Sequence, residues 1–168
     1  GADDPRLHPA CGGHAGVVNP FALVEEVRSF YDGTIILSGC LSTGGDVAAA
    51  IMMGADFAYM GTRFAATSES MASEAYKALL VSQQLADVLT TDRISGVPAT
   101  FLRGSIAQAG LDPDRLPELA SPRTPGLPKD LKAWRDLWSA GHGVGSVDDI
   151  PPVADLVARL RDEYDAAR

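Results

Sequence analysis

The sequence predicts an α/β fold of parallel strands joined by crossover helices. Three observations carry the prediction. Thr34-Ile35-Ile36-Leu37 is a short, continuous apolar run rich in β-branching, the pattern of a strand buried in a parallel sheet. Phe57-Ala58-Tyr59-Met60 is a second such run. Between them, Asp46 to Met53 is Ala- and Met-rich and helical, with the length of a βαβ crossover.

The other elements extend this alternation. Asn19 reads as a helix N-cap with Pro20 at the first helical position, and Leu23, Val24, Val27, Phe30 and Tyr31 follow at helical spacing until Asp32-Gly33. A further helix is expected from about Ser70 to Gln83, with Met71, Ala75, Leu79 and Leu80 on its apolar side. Val88-Leu89-Thr90 reads as a short strand. From Gly96 to Lys129, repeated prolines predict a long irregular excursion with short helical turns. Leu131 to Ser139 reads as a short helix that stacks Trp134 and Trp138 four apart for packing. Gly141-His142-Gly143-Val144-Gly145 reads as a flexible loop, mobile over a site. Pro151 to Ala167 closes the chain as an amphipathic helix with Val153, Leu156, Val157, Leu160 and Tyr164 in phase.

Composition narrows the function. The 168 residues fit one domain and are 46% hydrophobic and 21% charged, the balance of a globular chain. A net charge of −8 without a Lys/Arg block argues against nucleic acid and against an anionic membrane surface. No apolar run approaches the roughly 18 residues of a membrane span. Two cysteines, Cys11 and Cys40, do not make a disulfide framework, and a cytoplasmic location is expected. The chain opens on Gly1 and runs directly into mid-domain sequence, which predicts a piece of a longer polypeptide. Asp4 to Pro9, with two prolines and several charges, is a poor buried strand.

In parallel α/β folds ligands bind beyond the C-terminal strand ends. One such end carries Ser38-Gly39-Cys40 and then Thr43-Gly44-Gly45, and the next carries Gly61-Thr62-Arg63. Glycines there admit an anion close to the backbone, and helix-start N–H groups and the Thr62 hydroxyl can bind phosphate oxygens. Two glycine loops on successive strand ends point to phosphate. His14 lies among small residues in Gly12-Gly13-His14-Ala15-Gly16, where its imidazole could act as a base or an anion partner. From the pentapeptide alone, an inconsequential surface histidine is the favoured reading. His8, Cys11 and His14 are three apart but lack a fourth ligand, so no metal site is predicted.

Taken together, the segments Gly12-Gly13-His14-Ala15-Gly16, Leu37-Ser38-Gly39-Cys40-Leu41-Ser42-Thr43-Gly44, Met53-Gly54-Ala55-Asp56 and Tyr59-Met60-Gly61-Thr62-Arg63-Phe64-Ala65 resemble, in this order, the nitronate monooxygenases. The resemblance implies a (β/α)8 TIM barrel that binds FMN at its C-terminal face, of which this chain would be the C-terminal part. Residues 1–95 would form the half-barrel with the flavin-phosphate loops, and residues 96–168 the excursion and closing helices of the same domain. The resemblance implies that His14 is the catalytic residue. It implies that Gly39 and Cys40, with Gly13 and Ser38 beside them, hold the FMN phosphate, and that Gly61 and Thr62 form the second phosphate loop. Cys40 stands where the family usually carries glycine or alanine, and His142 where glutamine is expected. The implied activity is FMN-dependent oxidation of nitronates or nitroalkanes with O2. The alternatives are an inactive partial barrel or phosphate-binding half that needs a partner, and an FMN-dependent enoyl reductase. The implied partners are a small-molecule substrate and either the N-terminal half of the barrel or a second copy of the chain.

Overall fold

Asn19 begins the first helix as expected: its Oδ1 accepts the Phe21 N–H at 3.0 Å, and Pro20 opens α1, Pro20–Arg28. The computed structural model describes residues 12–14, 16 and 18–168. Residues 4–9, with His8 and Cys11, lie outside them. α1 stops at Arg28, short of Asp32-Gly33, so Phe30 and Tyr31 lie beyond the helix. Arg28 itself becomes a clamp. Its guanidinium donates to the Gly33 carbonyl at 2.6 Å, to the Gly54 carbonyl at 3.0 Å and to Asp56 Oδ2 at 2.6 Å. Asp56 Oδ2 also accepts the Ile35 N–H at 2.8 Å, which ties the start of one strand to the start of the next.

Those strands are β2, Ile36–Ser38, and β3, Phe57–Tyr59, joined through α2, Gly44–Met52. They pair in parallel, Ile36 with Phe57 and Ser38 with Tyr59, so the predicted βαβ unit is present. α2 has a capping box: Thr43 Oγ1 accepts the Asp46 N–H, and Asp46 Oδ2 accepts the Thr43 N–H. The expectation that both faces of the strands are buried does not hold. Leu37 is buried with Val24, Ala50 and Ala55, but Ile36, Phe57 and Tyr59 are each about 60% exposed or more.

The rest departs from an all-parallel sheet. β4, Val88–Thr91, matches the expected short strand but pairs antiparallel with β5, Ala99–Leu102. β1, Gly13–His14, adds to the other side of β5, also antiparallel, giving the order β1-β5-β4. β5 lies inside the stretch read as irregular, and so does α5, Arg103–Gln108. All four β5 residues are buried, and Phe101 packs with Ile94, Ile106, Leu116 and Leu137. The prolines bracket β5 rather than interrupt it, which is why a proline count misjudges the segment.

α3, Thr62–Ala65, follows β3 directly, and α4, Glu74–Ser82, begins at the Ser73 N-cap, four residues later than the periodicity suggests. Leu79 and Leu80 are buried as predicted, whereas Met71 lies before the helix and is exposed. The closing helix α6, Val153–Ala166, buries Leu156 and packs on α2. Two further expectations fail. Residues 131–139 form a tight turn with a bridge between Ala133 and Leu137, not a helix. Residues 142–146 form one 3-10 turn, His142–Ser146, with Val144 buried, not a loose loop. No described helix is long and apolar enough to cross a membrane.

Candidate active site

β2 ends at Ser38, and the chain turns at once through two residues with positive φ, Gly39 at 104° and Cys40 at 58°. β3 ends at Tyr59, and Gly61 leads into α3. Because β2 and β3 are parallel neighbours, both turns emerge on the same side. They face a cavity of about 350 Å³ that Gly13, Ser38, Gly39, Cys40, Gly61 and Thr62 all line. Six residues from three separate segments thus meet in one place, at a volume within the range of small-molecule sites.

Among the described residues that line this cavity none carries a charge, although the chain as a whole carries −8. The polar groups are hydroxyls and backbone. Thr62 Oγ1 accepts the Gly141 N–H at 3.0 Å, which leaves the threonine O–H available to donate elsewhere. Ser42 Oγ donates to the Gly143 carbonyl at 2.7 Å. These two bonds tie the 3-10 turn and the residue before it to the strand-end loops. Gly143 is required by close approach, since a Cβ there would lie 2.8 Å from the Cys40 carbonyl oxygen. A Cβ on Gly61 would meet nothing within 4 Å, so the cavity is open at that position.

Ser139 and Tyr76 complete the wall. The Tyr76 hydroxyl donates to the Ser139 carbonyl at 2.6 Å, and burial pushes its phenol above the usual value, so it stays a neutral donor. Ser139 Oγ is buried and has no hydrogen-bond partner among the described residues. Sequence reasoning missed Ser139, because nothing in its neighbours marks it.

Thr43, Gly44 and Gly45 are not part of the cavity. Gly44 N–H donates to Glu163 Oε2 at 2.6 Å, and Asp46 takes the Ser42 and Thr43 N–H groups. Carboxylates of the chain itself hold that helix start.

His14 is not itself among the residues that line the cavity. Its neighbour Gly13 lines the cavity and donates its N–H to Thr100 Oγ1 at 3.1 Å. The His14 side chain is exposed, and its ring lies 5.1 Å from that of Trp134, tilted by 54°. Antiparallel pairing with β5 holds this backbone. Among the described residues no cluster could hold a metal ion.

Cys40 adopts the left-handed backbone conformation that glycine favours. That conformation costs a non-glycine residue roughly 1–2 kcal/mol, of which glycine's greater unfolded-state entropy would offset about 0.5–1 kcal/mol. Cys40→Gly is therefore expected to raise stability by about 0.5 kcal/mol in urea unfolding. A loss of stability would mean that the cysteine side chain outweighs its backbone.

A family-wide sequence pattern described as nitronate monooxygenase matches residues 8–163. The chain is 30% identical over 169 residues to a nitronate monooxygenase of Paraburkholderia phytofirmans, covering 90% of this chain and 46% of that protein. Among solved structures, FabK from Thermotoga maritima superposes with a TM-score of 0.69 at 26% identity, covering 93% of this chain and 52% of that one. Nitroalkane oxidase from Streptomyces ansochromogenes superposes with a TM-score of 0.67 at 25% identity, covering 94% and 50%. The chain thus spans about half the length of the relatives it matches. The matched pattern takes in the His14 segment, both cavity-lining turns and most of the closing helix, and the chain belongs to the nitronate monooxygenase family.

Proposed function

We infer that the cavity holds the phosphate end of FMN, and that the chain supplies the phosphate- and substrate-side part of an enzyme oxidising nitronates or nitroalkanes. The observation that carries this is the convergence of Gly13, Ser38, Gly39, Cys40, Gly61 and Thr62 on one cavity whose described lining residues carry no charge. The residues suit the group. Glycine turns let phosphate oxygens approach the backbone, Thr62 has a hydroxyl proton to donate, and no described carboxylate lines the space to repel a dianion. Bound FMN would supply the redox chemistry with O2 that side chains cannot.

The residues of the chain bind, orient and handle protons. His14, exposed beside Gly13, would take the α-proton of a nitroalkane or pair with the charged nitro oxygens of a nitronate. Tyr76, kept neutral, holds the Ser139 backbone and so the wall behind the cavity. The organic products would be a carbonyl compound, with nitrite released. The relatives are about twice the length of this chain, and Ile36, Phe57 and Tyr59 are exposed on the β2–β3 pair. Both facts support a C-terminal part of a (β/α)8 barrel whose open strand faces are covered by more of the barrel or by a second copy.

The test is the absorption spectrum of the purified 168-residue chain after FMN addition and desalting. A retained, perturbed flavin band is expected. Gly61→Leu, which fills open space rather than clashing with the fold, should weaken FMN binding about tenfold or more. No retained flavin in the unaltered chain would sink the cofactor assignment for this chain. Enoyl reduction by a nicotinamide donor without nitronate turnover would move it to the reductase alternative.

A further inference from the structure

Trp134 is in an unusual place for a tryptophan. Its φ of 62° puts a bulky residue in the left-handed region, where such residues are rare. It is nevertheless firmly held. Its N–H donates to the Leu137 carbonyl at 2.8 Å, and the bridge between Ala133 and Leu137 closes the turn. Arg135 binds Asp136 through Nε and Nη2 and the Asp130 carbonyl through Nη2 at 2.6 Å. Asp136 Oδ2 in turn accepts the Lys132 N–H at 2.9 Å. On its inner side the indole lies 5.9 Å from the ring of Phe101, which is fully buried.

The turn therefore presents the indole outward from an anchored base, with 45% of the residue exposed, and three observations show what it meets. The His14 ring is 5.1 Å away. Trp134 Nε1 is 3.9 Å from where a Cβ on Gly13 would be. Trp134 also lines the cavity. His14 by contrast sits in a two-residue strand and is exposed. Strained backbone held in place by its surroundings is characteristic of functional positions. An indole ring packed beside an imidazole restricts its orientation.

We propose that Trp134 is the positioning residue for His14, setting the direction in which the imidazole faces the cavity. The proposal rests on the reading of His14 as the proton-handling group, and it assigns to the turn at residues 133–137 the job of completing the site.

The first experiment is proton NMR of the histidine rings in the 168-residue chain at fixed pH. His14→Gln identifies the resonance of interest. In the unaltered chain the His14 ring protons are expected upfield of those of His142, shifted by the indole ring current. Trp134→Leu should abolish that displacement, and Trp134→Phe should retain part of it. A His14 resonance without the displacement, or one unchanged in Trp134→Leu, overturns the proposal. The phenylalanine variant keeps an aromatic ring on the Phe101 contact, so the comparison survives if leucine loosens the turn.

The second experiment uses flavin-loaded chain with propane-2-nitronate. Trp134→Leu should lower kcat about tenfold with a smaller change in KM, because a misdirected base slows the chemical step more than it weakens binding. Trp134→Phe should recover most of the loss. Equal rates for the leucine variant and the unaltered chain would overturn the proposal. No turnover by the unaltered chain, with the NMR displacement intact, would remove the nitronate reading while upholding the His14–Trp134 pairing.

Discussion

Replacing Asp149 with asparagine is expected to cost about 3 kcal/mol, a large share of the 5–15 kcal/mol that holds a domain together. The reason is Arg63. Its side chain is only 2% exposed, and Nε and Nη1 have no partner among the described residues. Nη2 donates to Asp149 Oδ1 at 2.7 Å and more weakly to the Asp149 carbonyl at 3.2 Å. Asparagine would leave a buried cation without its counter-charge, which costs far more than losing a surface pair. Asp149 is itself 39% exposed, so water tempers the loss and the figure belongs at the low end of the range for such changes. Urea unfolding of Asp149→Asn and of the double variant Arg63→Met with Asp149→Asn checks this. The double variant should recover most of the loss, since it removes the stranded charge as well. A single-variant loss below about 1 kcal/mol would mean that Arg63 finds another anion.

The same carboxylate sets an acid limit. The hydrogen bond from Arg159 holds Asp149 below its ordinary value of 3.8, aided by the charges of Arg63 and Arg159 and opposed by burial. The folded chain therefore binds this proton less readily than the unfolded chain. The stabilisation is complete above 3.8 and is lost as pH falls through the lower folded value. Asp149→Asn should flatten stability against pH in that acid window and leave the slope near neutrality unchanged.

Gly44→Ala is the second large effect. A Cβ at Gly44 would overlap the Leu160 carbonyl oxygen and press on the Tyr164 nitrogen, both backbone atoms of α6. Backbone cannot rotate away as a side chain can, so α6 must shift from α2 and strain the Gly44–Glu163 hydrogen bond. A loss of about 3 kcal/mol is expected, at the upper end for overpacking by one methyl. Gly45→Ala is the control. Its Cβ would meet only Thr43 Oγ1, at 3.6 Å, and alanine in place of a helical glycine should stabilise by about 0.5 kcal/mol. Thermal unfolding of the two variants should move in opposite directions. Equal shifts would mean that α6 does not rest on Gly44 in solution.

These glycines show the limits of sequence reading. Gly44 and Gly61 look alike in a small-residue loop after a strand. One is small because a helix backbone packs on it, and the other opens on the cavity. Only the position of α6, more than 110 residues away in the chain, separates them. The two tryptophans make the same point. Their spacing of four suggested one helix face, but a turn places Trp134 against His14 and Trp138 against Tyr76. β5 was hidden because its four buried residues sit among prolines, and its partner β1 lies 87 residues earlier in the chain at the Gly13–Thr100 contact.

The sequence by itself determined the parallel βαβ unit, the cap at Asn19, and the two turns that bring Ser38, Gly39, Cys40, Gly61 and Thr62 to one side. Those features depend on side chains within a few residues of each other and on the period of apolar burial, both of which are local. The tertiary structure alone decided the antiparallel β1-β5-β4 sheet, the left-handed backbone of Cys40 and Trp134, the buried Arg63–Asp149 pair and the unpaired Ser139 hydroxyl. The sheet and the Arg63–Asp149 pair are set by residues far apart in the chain, whose packing can outweigh local preference by a few kcal/mol.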